Sequence, residues 1–281
     1  MITLVYIIAL QVIGESLPIS SSGHYLLGQL IARQYGLVLP LLSEEFDFLL
    51  HITACVIIAS FFFSTWWPLL RAVVRKKSAQ QVFVHLVSFT VIAGTITCLF
   101  YPAKKIFTPY TALLLPYGFA GTVCVLGLLY CYERRIKHGT WITPRMTRMT
   151  VIFGTKSLLL GLVQGIALLL PGLSRFAVVY STARWLGYAP RRAFQVCFLI
   201  QFPLISAAVL FKGLPALMHA EFRTQVLHAS VLLALAGSTL IAAFFFAVVY
   251  RLALRKRLWL FGIYEVIPLM LSLLYTCGML K

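Results

Sequence analysis

Two polar side chains, Gln11 and Glu15, stand in an otherwise apolar N-terminal segment of the sequence. Because they are four residues apart, a helix would place them one turn apart on the same face. A carboxylate within a membrane segment costs roughly 2.5–3.5 kcal/mol on insertion scales, so Glu15 is a functional candidate. Carbonyl and carboxylate oxygens suit Mg²⁺ or Ca²⁺ and do not suit zinc. We therefore expect this pair to hold a divalent cation or a water molecule, unless Glu15 lies on a water-exposed tip.

Three consecutive serines, a glycine and a histidine follow at Ser20, Ser21, Ser22, Gly23 and His24. Hydroxyls and backbone N–H groups at the start of a helix bind anions, so Ser20, Ser22 and Gly23 are candidates for phosphate binding. Ser21 is a candidate nucleophile if a base lies near it. His24 would share the helical face of Ser21 and is a candidate for that base or for the nucleophile itself. Simple capping of a helix by serine is the alternative.

A second polar interruption lies far downstream and contains Pro171, Gly172, Ser174 and Arg175. Arg175 stands between an apolar run and a short segment, away from the basic loops. A buried guanidinium needs an anion, and its planar fork matches phosphate. Gly172 and Ser174 are therefore further candidates for phosphate binding, and we expect the two interruptions to meet as one site. An ion pair between Arg175 and Glu15 is the alternative.

A third polar pair, Asp47 and His51, opens the next apolar run with a one-turn spacing. Asp47 is a further candidate metal ligand, and the pair could also orient the site. An Asp–His pair at the water interface of a span is the alternative. The sequence has no P-loop, no GxSxG, no HExxH and no zinc-type spacing. The polar interruptions are therefore the places where chemistry is expected.

The composition places this site in a membrane. The chain has 281 residues, of which 61% are hydrophobic and 11% charged, whereas soluble domains are about 45–50% apolar and about 25% charged. Its net charge of +17 comes from basic residues clustered between apolar runs, which is the positive-inside pattern of membrane proteins. We therefore expect an integral membrane protein with no nucleic-acid partner. The six cysteines form no CxxC pair and fit reduced, apolar packing.

Apolar runs predict about six full spans and two shorter re-entrant hairpins. The predicted spans are 46–64, 82–101, 110–131, 194–211, 228–250 and 258–280. The segments 2–17 and 24–31, and likewise 151–170 and 174–186, are too short or too polar to cross singly, so each pair is predicted to form a hairpin. The alternative is a simple eight-span bundle.

The order of these elements predicts an internal repeat within a single polytopic domain, 1–281. Residues from about 1 to 132 and from about 150 to 281 each read as one hairpin followed by three transmembrane helices. An odd number of spans per half makes the two copies inverted. Positive-inside counting places the first hairpin on the outer side and the second on the cytoplasmic side. Inverted repeats with broken helices hold their binding site near the midplane.

The assembled motifs resemble the undecaprenyl-pyrophosphate phosphatase family of bacterial membranes, the bacitracin-resistance type, over nearly the whole chain. The family's (E/Q)xxxE motif matches Gln11 to Glu15, and its SSxGH motif matches Ser20 to His24. The start of its PGxSRSxxT motif matches Pro171 to Arg175. Its FDxxLH and FxIY stretches match 46–51 and 261–264.

The chain departs from that family pattern at Thr53, which stands in place of a glycine, at Ala54, which stands in place of a threonine, in a Gln164 to Pro171 spacing that is one residue longer, and at three further positions. Phe176 stands in place of a serine, Val179 in place of a threonine, and Glu265 in place of a basic residue. The changes at Phe176 and Val179 remove two hydroxyls beside Arg175, each able to give a phosphate hydrogen bond of roughly 1.5–3 kcal/mol.

The resemblance implies hydrolysis of a C55 polyprenyl diphosphate to the monophosphate and inorganic phosphate, which recycles the lipid carrier for cell-wall synthesis. It also implies a divalent cation, a multi-pass location in the bacterial inner membrane among membrane lipid, and an active site that faces outward. A homodimer is left open. In this reading Arg175 neutralises the transferring phosphoryl group and Glu15, with Gln11, holds the metal or activates the attacking group.

Two other function classes compete with this one. Inverted repeats and broken helices also occur in transporters, so a polyprenyl-phosphate transporter or flippase with little phosphatase activity is the main alternative. A phosphatidic-acid-type lipid phosphatase is disfavoured, because no histidine follows Arg175 before His219 to serve as its nucleophile.

Overall fold

The computed structural model describes residues 2–37, 44–136 and 153–279, and within these ranges the chain is helical with no β-strand. The helices are α1 (Ile2–Glu15), α2 (Ser21–Gln34), α3 (Glu44–Arg75), α4 (Lys77–Leu99), α5 (Tyr101–Phe107), α6 (Thr111–Arg135), α7 (Phe153–Leu169), α8 (Arg175–Trp185), α9 (Pro190–Ala208), α10 (Leu214–Ala216), α11 (Ala220–Val226), α12 (Ala229–Leu254) and α13 (Leu260–Thr276).

Four helical stretches within these ranges are long and apolar enough to cross a membrane: Leu50–Arg75, Lys77–Arg135, Pro190–Ala216 and Ala229–Leu254. The second of them contains α4, α5 and α6, over which the sequence predicted two spans. Three shorter apolar helices, including the C-terminal Leu260–Thr276, stay below that length. The prediction of an all-α, multi-pass membrane protein is therefore confirmed at this level.

The two predicted hairpins are present as helix pairs, with shifted helix bounds. The short helix expected over 24–31 runs over Ser21–Gln34, because Ser20 caps it and Oγ of Ser20 accepts the N–H of Gly23 at 3.2 Å. In the second pair, Ser174 caps α8 in the same way and accepts the N–H of Ala177 at 3.2 Å. A serine hydroxyl at this position satisfies a helix donor that would otherwise lack a partner.

Several predicted spans also have different ends in the structure. The span expected over 46–64 continues to Arg75, and the one expected over 110–131 continues to Arg135. Apolar run length locates the membrane-embedded part of a helix but not the basic last turn that extends beyond it. Most of the predicted basic loop 134–148 lies outside the described residues, as do residues 151 and 152 of the second hairpin.

The first helix of each predicted hairpin packs against a helix that is distant in sequence, and so do α3 and α6. Helix α1 lies against α12, α7 lies against α4, α6 against α13, and α3 against α9. The α4–α7 approach is close because Gly161 faces α4, and Oγ1 of Thr97 donates to the carbonyl of Gly161 at 3.2 Å. Small residues allow such backbone approach between helices in a membrane.

Candidate active site

The polar stretch of the first helix pair, Ser20 to His24 (the first tip), lies against that of the second pair, Pro171 to Arg175 (the second tip). A Cβ added to Gly23 would be 2.6 Å from Cα of Gly172 and 2.7 Å from its backbone nitrogen. Gly172 itself has φ +88°, and a Cβ there would press on the backbone of α6. The structure therefore brings together the two polar interruptions, and glycine is needed on both sides of the contact.

His24 has a defined tautomer at the first tip. Its Nδ1 lies 2.7 Å from the carbonyl oxygen of Ser20, which can only accept, so Nδ1 carries the proton. In the neutral ring, Nε2 is then the basic nitrogen. It lies 3.1 Å from Oη of Tyr264, which donates to it, and the two rings stack with centroids 5.6 Å apart. His24 is thus oriented through both of its nitrogens.

Thr122 of α6 fixes the second tip. Its Oγ1 donates to the carbonyl of Gly172 at 2.9 Å and accepts the N–H of Ser174 at 2.9 Å. The side chain of Thr122 is fully buried. One hydroxyl therefore holds the backbone on both sides of Leu173 and sets the direction in which α8 begins.

The acidic part of the site joins α1 to α3. Glu15 Oε1 lies 2.7 Å from Nδ1 of His51, and Nε2 of Gln11 donates to Oδ1 of Asp47 at 3.2 Å. Asp47 and His51 therefore both reach α1. These contacts hold the carboxylate of Glu15 next to the imidazole of His51.

Arg175 begins α8 beside this acidic cluster. It is half-buried and within electrostatic range of Glu15, Asp47 and His51. In the part of the chain that the structure describes, no residue gives Arg175 a hydrogen bond or an ion pair, so the alternative Glu15–Arg175 pair is not formed. Its guanidinium is therefore available to an anion.

The donor set fits a divalent cation in one respect. Oε1 of Gln11 is buried and has no hydrogen-bond partner within the described ranges, and carboxylate oxygens of Glu15 and Asp47 are nearby. No group of three His, Cys, Asp or Glu side chains among the described residues is arranged to hold a metal. Mg²⁺ commonly binds through one or two carboxylates together with water and substrate phosphate, so a sparse protein set suits it.

A cavity of about 280 Å³ adjoins the first tip. It is lined by Tyr6, Ala9, Leu10, Ile13, Gly14, Leu17, Ile19, Ser21, His24 and Tyr264. Its wall is mainly apolar and comes from α1, while Ser21, His24 and Tyr264 supply a polar end.

Oγ of Ser21 makes no hydrogen bond with a described residue, and His24 bonds Tyr264 instead of Ser21. Ser22 is exposed, 3.5 Å from Oγ of Ser20.

Comparison with known proteins places the chain in a family. The family described as bacitracin resistance protein BacA matches residues 5–270. The chain belongs to this family. It is 32% identical over 207 residues to an undecaprenyl-diphosphatase of Pelotomaculum thermopropionicum, covering 72% of this chain and 71% of the relative. It is 28% identical over 213 residues to one of Treponema denticola, covering 73% and 72%. An undecaprenyl-diphosphatase of Leuconostoc citreum is 24% identical over 271 residues, covering 95% and 94%.

Two of the departures from the family pattern, Phe176 and Val179, face the hydrophobic core. Phe176 is buried and packs on Phe194 and Phe198, with ring centroids 5.5 Å and 5.2 Å away. Val179 is also buried in this cluster. Both side chains therefore contribute to the packing of α8 on α9, and neither blocks Arg175.

A further departure lies close to the first tip. Glu265 of α13 is fully buried, with the backbone of Ser20 beside its carboxyl group. It adjoins Tyr264 in sequence. A carboxyl group in such a place is costly when charged, because burial removes its hydration without replacing it.

The sequence reasoning missed the partners that orient the site. Thr122 looks like any threonine of an apolar helix, where the hydroxyl usually bonds the preceding turn. Tyr264 was part of a matching motif, but nothing in its spacing connects it to His24, 240 residues away. Such contacts between distant helices become visible only in three dimensions.

Proposed function

We propose that this chain hydrolyses undecaprenyl diphosphate to undecaprenyl phosphate and inorganic phosphate, and so recycles the lipid carrier for cell-wall synthesis. The observation that carries the proposal is the meeting of the two tips beside Arg175, which bonds no residue that the structure describes, in a member of the BacA family. The names of the relatives agree with it.

The diphosphate would bind where the two helix N-termini converge. Backbone N–H groups at the starts of α2 and α8, with the positive ends of the helix dipoles, favour an anion. Arg175 adds a planar cation whose fork fits a phosphoryl group. Ser20, Ser22, Gly23, Gly172 and Ser174 form the surrounding cradle. Such fixed positive groups stabilise the charge of a phosphoryl-transfer transition state.

Ser21 is the attacking group in this proposal and His24 its base. The Oγ proton of Ser21 passes to Nε2 of His24 as Oγ bonds to the terminal phosphorus, and the bond to the bridging oxygen breaks. Undecaprenyl phosphate leaves with that electron pair. Water then attacks the phosphorus of the phosphoserine and the P–Oγ bond breaks; His24 returns its proton to Oγ, and the protons of the water leave with inorganic phosphate. Two observations support these roles: Oγ of Ser21 bonds no described residue, and His24, whose Nε2 is the basic nitrogen, lines the same cavity.

A divalent cation, Mg²⁺ or Ca²⁺, would be held by Gln11 and Glu15, with Asp47 as a further oxygen ligand. When bound, it would offset negative charge on the oxygens of the diphosphate. The unsatisfied Oε1 of Gln11 supports this assignment.

The apolar cavity gives the prenyl chain a place beside the reacting groups. Its α1 wall would contact the first isoprene units, while the polar end holds the diphosphate. Apolar contact over such a wall contributes roughly 25 cal/mol per Å² of surface removed from water.

We further propose the inverted repeat, with α1–α4 and α6 as one copy and α7–α9, α12 and α13 as the other. The packing pairs support it: exchanging the copies turns the α1–α12 pair into the α7–α4 pair, while α6–α13 and α3–α9 map onto themselves. We place the protein in the bacterial inner membrane with the site open to the outside. The positive-inside rule assigns the basic clusters of the sequence to the cytoplasm, and this assignment puts the first hairpin on the outer side.

The test is phosphate release from C55 diphosphate by the purified protein, with and without a chelator. Movement of lipid phosphate in proteoliposomes without phosphate release would instead support a transporter. Substrate labelled in the terminal phosphate separates the two nucleophiles: acid-stable label on the protein indicates phosphoserine, and acid-labile label indicates phosphohistidine. Label that disappears in Ser21→Ala but remains in His24→Gln would support Ser21.

A further inference from the structure

Side chains of α6 hydrogen-bond the backbone at both ends of helix α8. At its start, Thr122 of α6 holds the backbone of Gly172 and Ser174. At its end, Oη of Tyr132 donates to the carbonyl of Arg184 at 2.8 Å. Both the Thr122–Ser174 and the Tyr132–Arg184 contacts join residues that are 52 positions apart. The two helices therefore run parallel and in register between these two sets of hydrogen bonds.

The contact at the end of α8 also includes a buried ion pair. Nε and Nη2 of Arg184 donate to the two carboxylate oxygens of Glu133 at 2.5 Å and 2.9 Å. Both residues are only 5% exposed. Removing one member of a buried pair leaves an uncompensated charge, so separating these two side chains is costly.

The loop after α8 is held by cations as well. Nη1 of Arg184 donates to the carbonyl of Tyr188, and Nζ of Lys156 donates to the carbonyl of Leu186 at 3.0 Å. Cationic donors at a helix C-terminus satisfy carbonyls that have no partner within the helix. The end of α8 is therefore fixed in rotation and along its axis.

This arrangement bears on Arg175, which stands at the other end of α8. No described residue bonds its guanidinium, so its place depends on the helix that carries it. Helix α8 has eleven residues and is thus about 16 Å long. A helix of this length moves as a unit, so a shift or rotation at Arg184 is passed to Arg175.

We propose that the Glu133–Arg184 pair is a distal positioning device that sets Arg175 against the substrate phosphate. It does not touch the reacting atoms. This inference rests on the proposed function, because the quantity it controls is transition-state stabilisation by Arg175.

The test compares Glu133→Gln with a matched control, Arg134→Gln, at the next and exposed position of α6. We expect Glu133→Gln to lower kcat for C55 diphosphate about 10- to 100-fold with little change in KM, since a displacement near 1 Å costs about that much. Arg134→Gln should retain wild-type kcat. A Glu133→Gln protein with lower thermal stability but wild-type kcat would overturn the proposal, because that is what a structural role alone predicts.

A double variant tests the route through Arg175. If Glu133 acts only through Arg175, Glu133→Gln should add no loss to Arg175→Ala, whereas independent effects would multiply and contradict the proposal. If Glu133→Gln does not fold, Arg184→Lys keeps the charge without the fork and should show the same kcat loss; wild-type kcat there would overturn it. If wild type itself releases no phosphate, the proposed function fails, and positioning is read from the binding of vanadate, a mimic of the phosphoryl-transfer transition state: Glu133→Gln should weaken vanadate binding, and unchanged binding would refute the proposal.

Discussion

Replacing Gly23 by alanine tests whether contact between the two tips is required for activity. The added Cβ would lie 2.6 Å and 2.7 Å from backbone atoms of Gly172, which cannot rotate away as a side chain could. Carbon atoms pack at about 3.5–4.0 Å, so the tips must separate by roughly 1 Å. A displacement of that size in a catalytic site costs about 100-fold in rate, or about 2.7 kcal/mol of transition-state stabilisation.

The matched control is Gly28→Ala on the same helix. A Cβ at Gly28 meets nothing within 4 Å, so this variant gains helix propensity without moving the tips. We expect it to retain wild-type kcat and to be more stable by about 0.5–1 kcal/mol. The assay is phosphate release from C55 diphosphate, with thermal unfolding of each purified variant. A folded Gly23→Ala protein with the kcat of Gly28→Ala would refute the reasoning.

Three further predictions concern single residues around the site. Phe176→Ala should lower the free energy of unfolding by about 3–5 kcal/mol, because it empties an aromatic position in the core; a calorimetric change below about 1 kcal/mol would contradict its packing role. His24→Gln should lower kcat by about 10²–10⁴-fold through loss of the base, whereas Tyr264→Phe should lower it less than about tenfold, the worth of one neutral hydrogen bond; equal losses would place the base elsewhere. Glu265→Gln should raise Tm, because it removes a buried carboxyl group whose charged form is costly to bury; a Tm no higher than that of the wild type would contradict that cost.

The position of the two tips could be predicted from the sequence because polarity is rare in this chain. Pro18 and Pro171 end apolar runs, and the serines after them suit helix starts. The structure has capped helices at both places. Helix ends were less predictable, since α2 begins three residues before the expected His24 and α3 continues well beyond Ser64.

The partners of the polar residues could not be read from spacing. Asp47 and His51 are one turn apart, yet each pairs with a different residue of α1. Phe176 raised the question of lost phosphate contacts, but whether its ring faced the site or the core depended on how α8 packs on α9. Spacing shows which residues share a helical face, but not which neighbouring helix that face contacts.

The buried Glu133–Arg184 pair shows the same limit. Glu133 belongs to the sequence just before a basic loop, where charged residues are usually solvated, and Arg184 stands among other arginines. Only the parallel packing of α6 and α8 brings them together and excludes water. Composition alone therefore assigns such residues to the surface.

The most direct test of the central claim is the rate of phosphate release from C55 diphosphate by purified Arg175→Ala and Glu15→Ala proteins. These residues come from different hairpins and both belong to the proposed site. Each folded variant is expected to lose at least about 100-fold in kcat/KM, which corresponds to about 2.7 kcal/mol. Wild-type kcat/KM in either folded variant would contradict the site that the two tips are proposed to form.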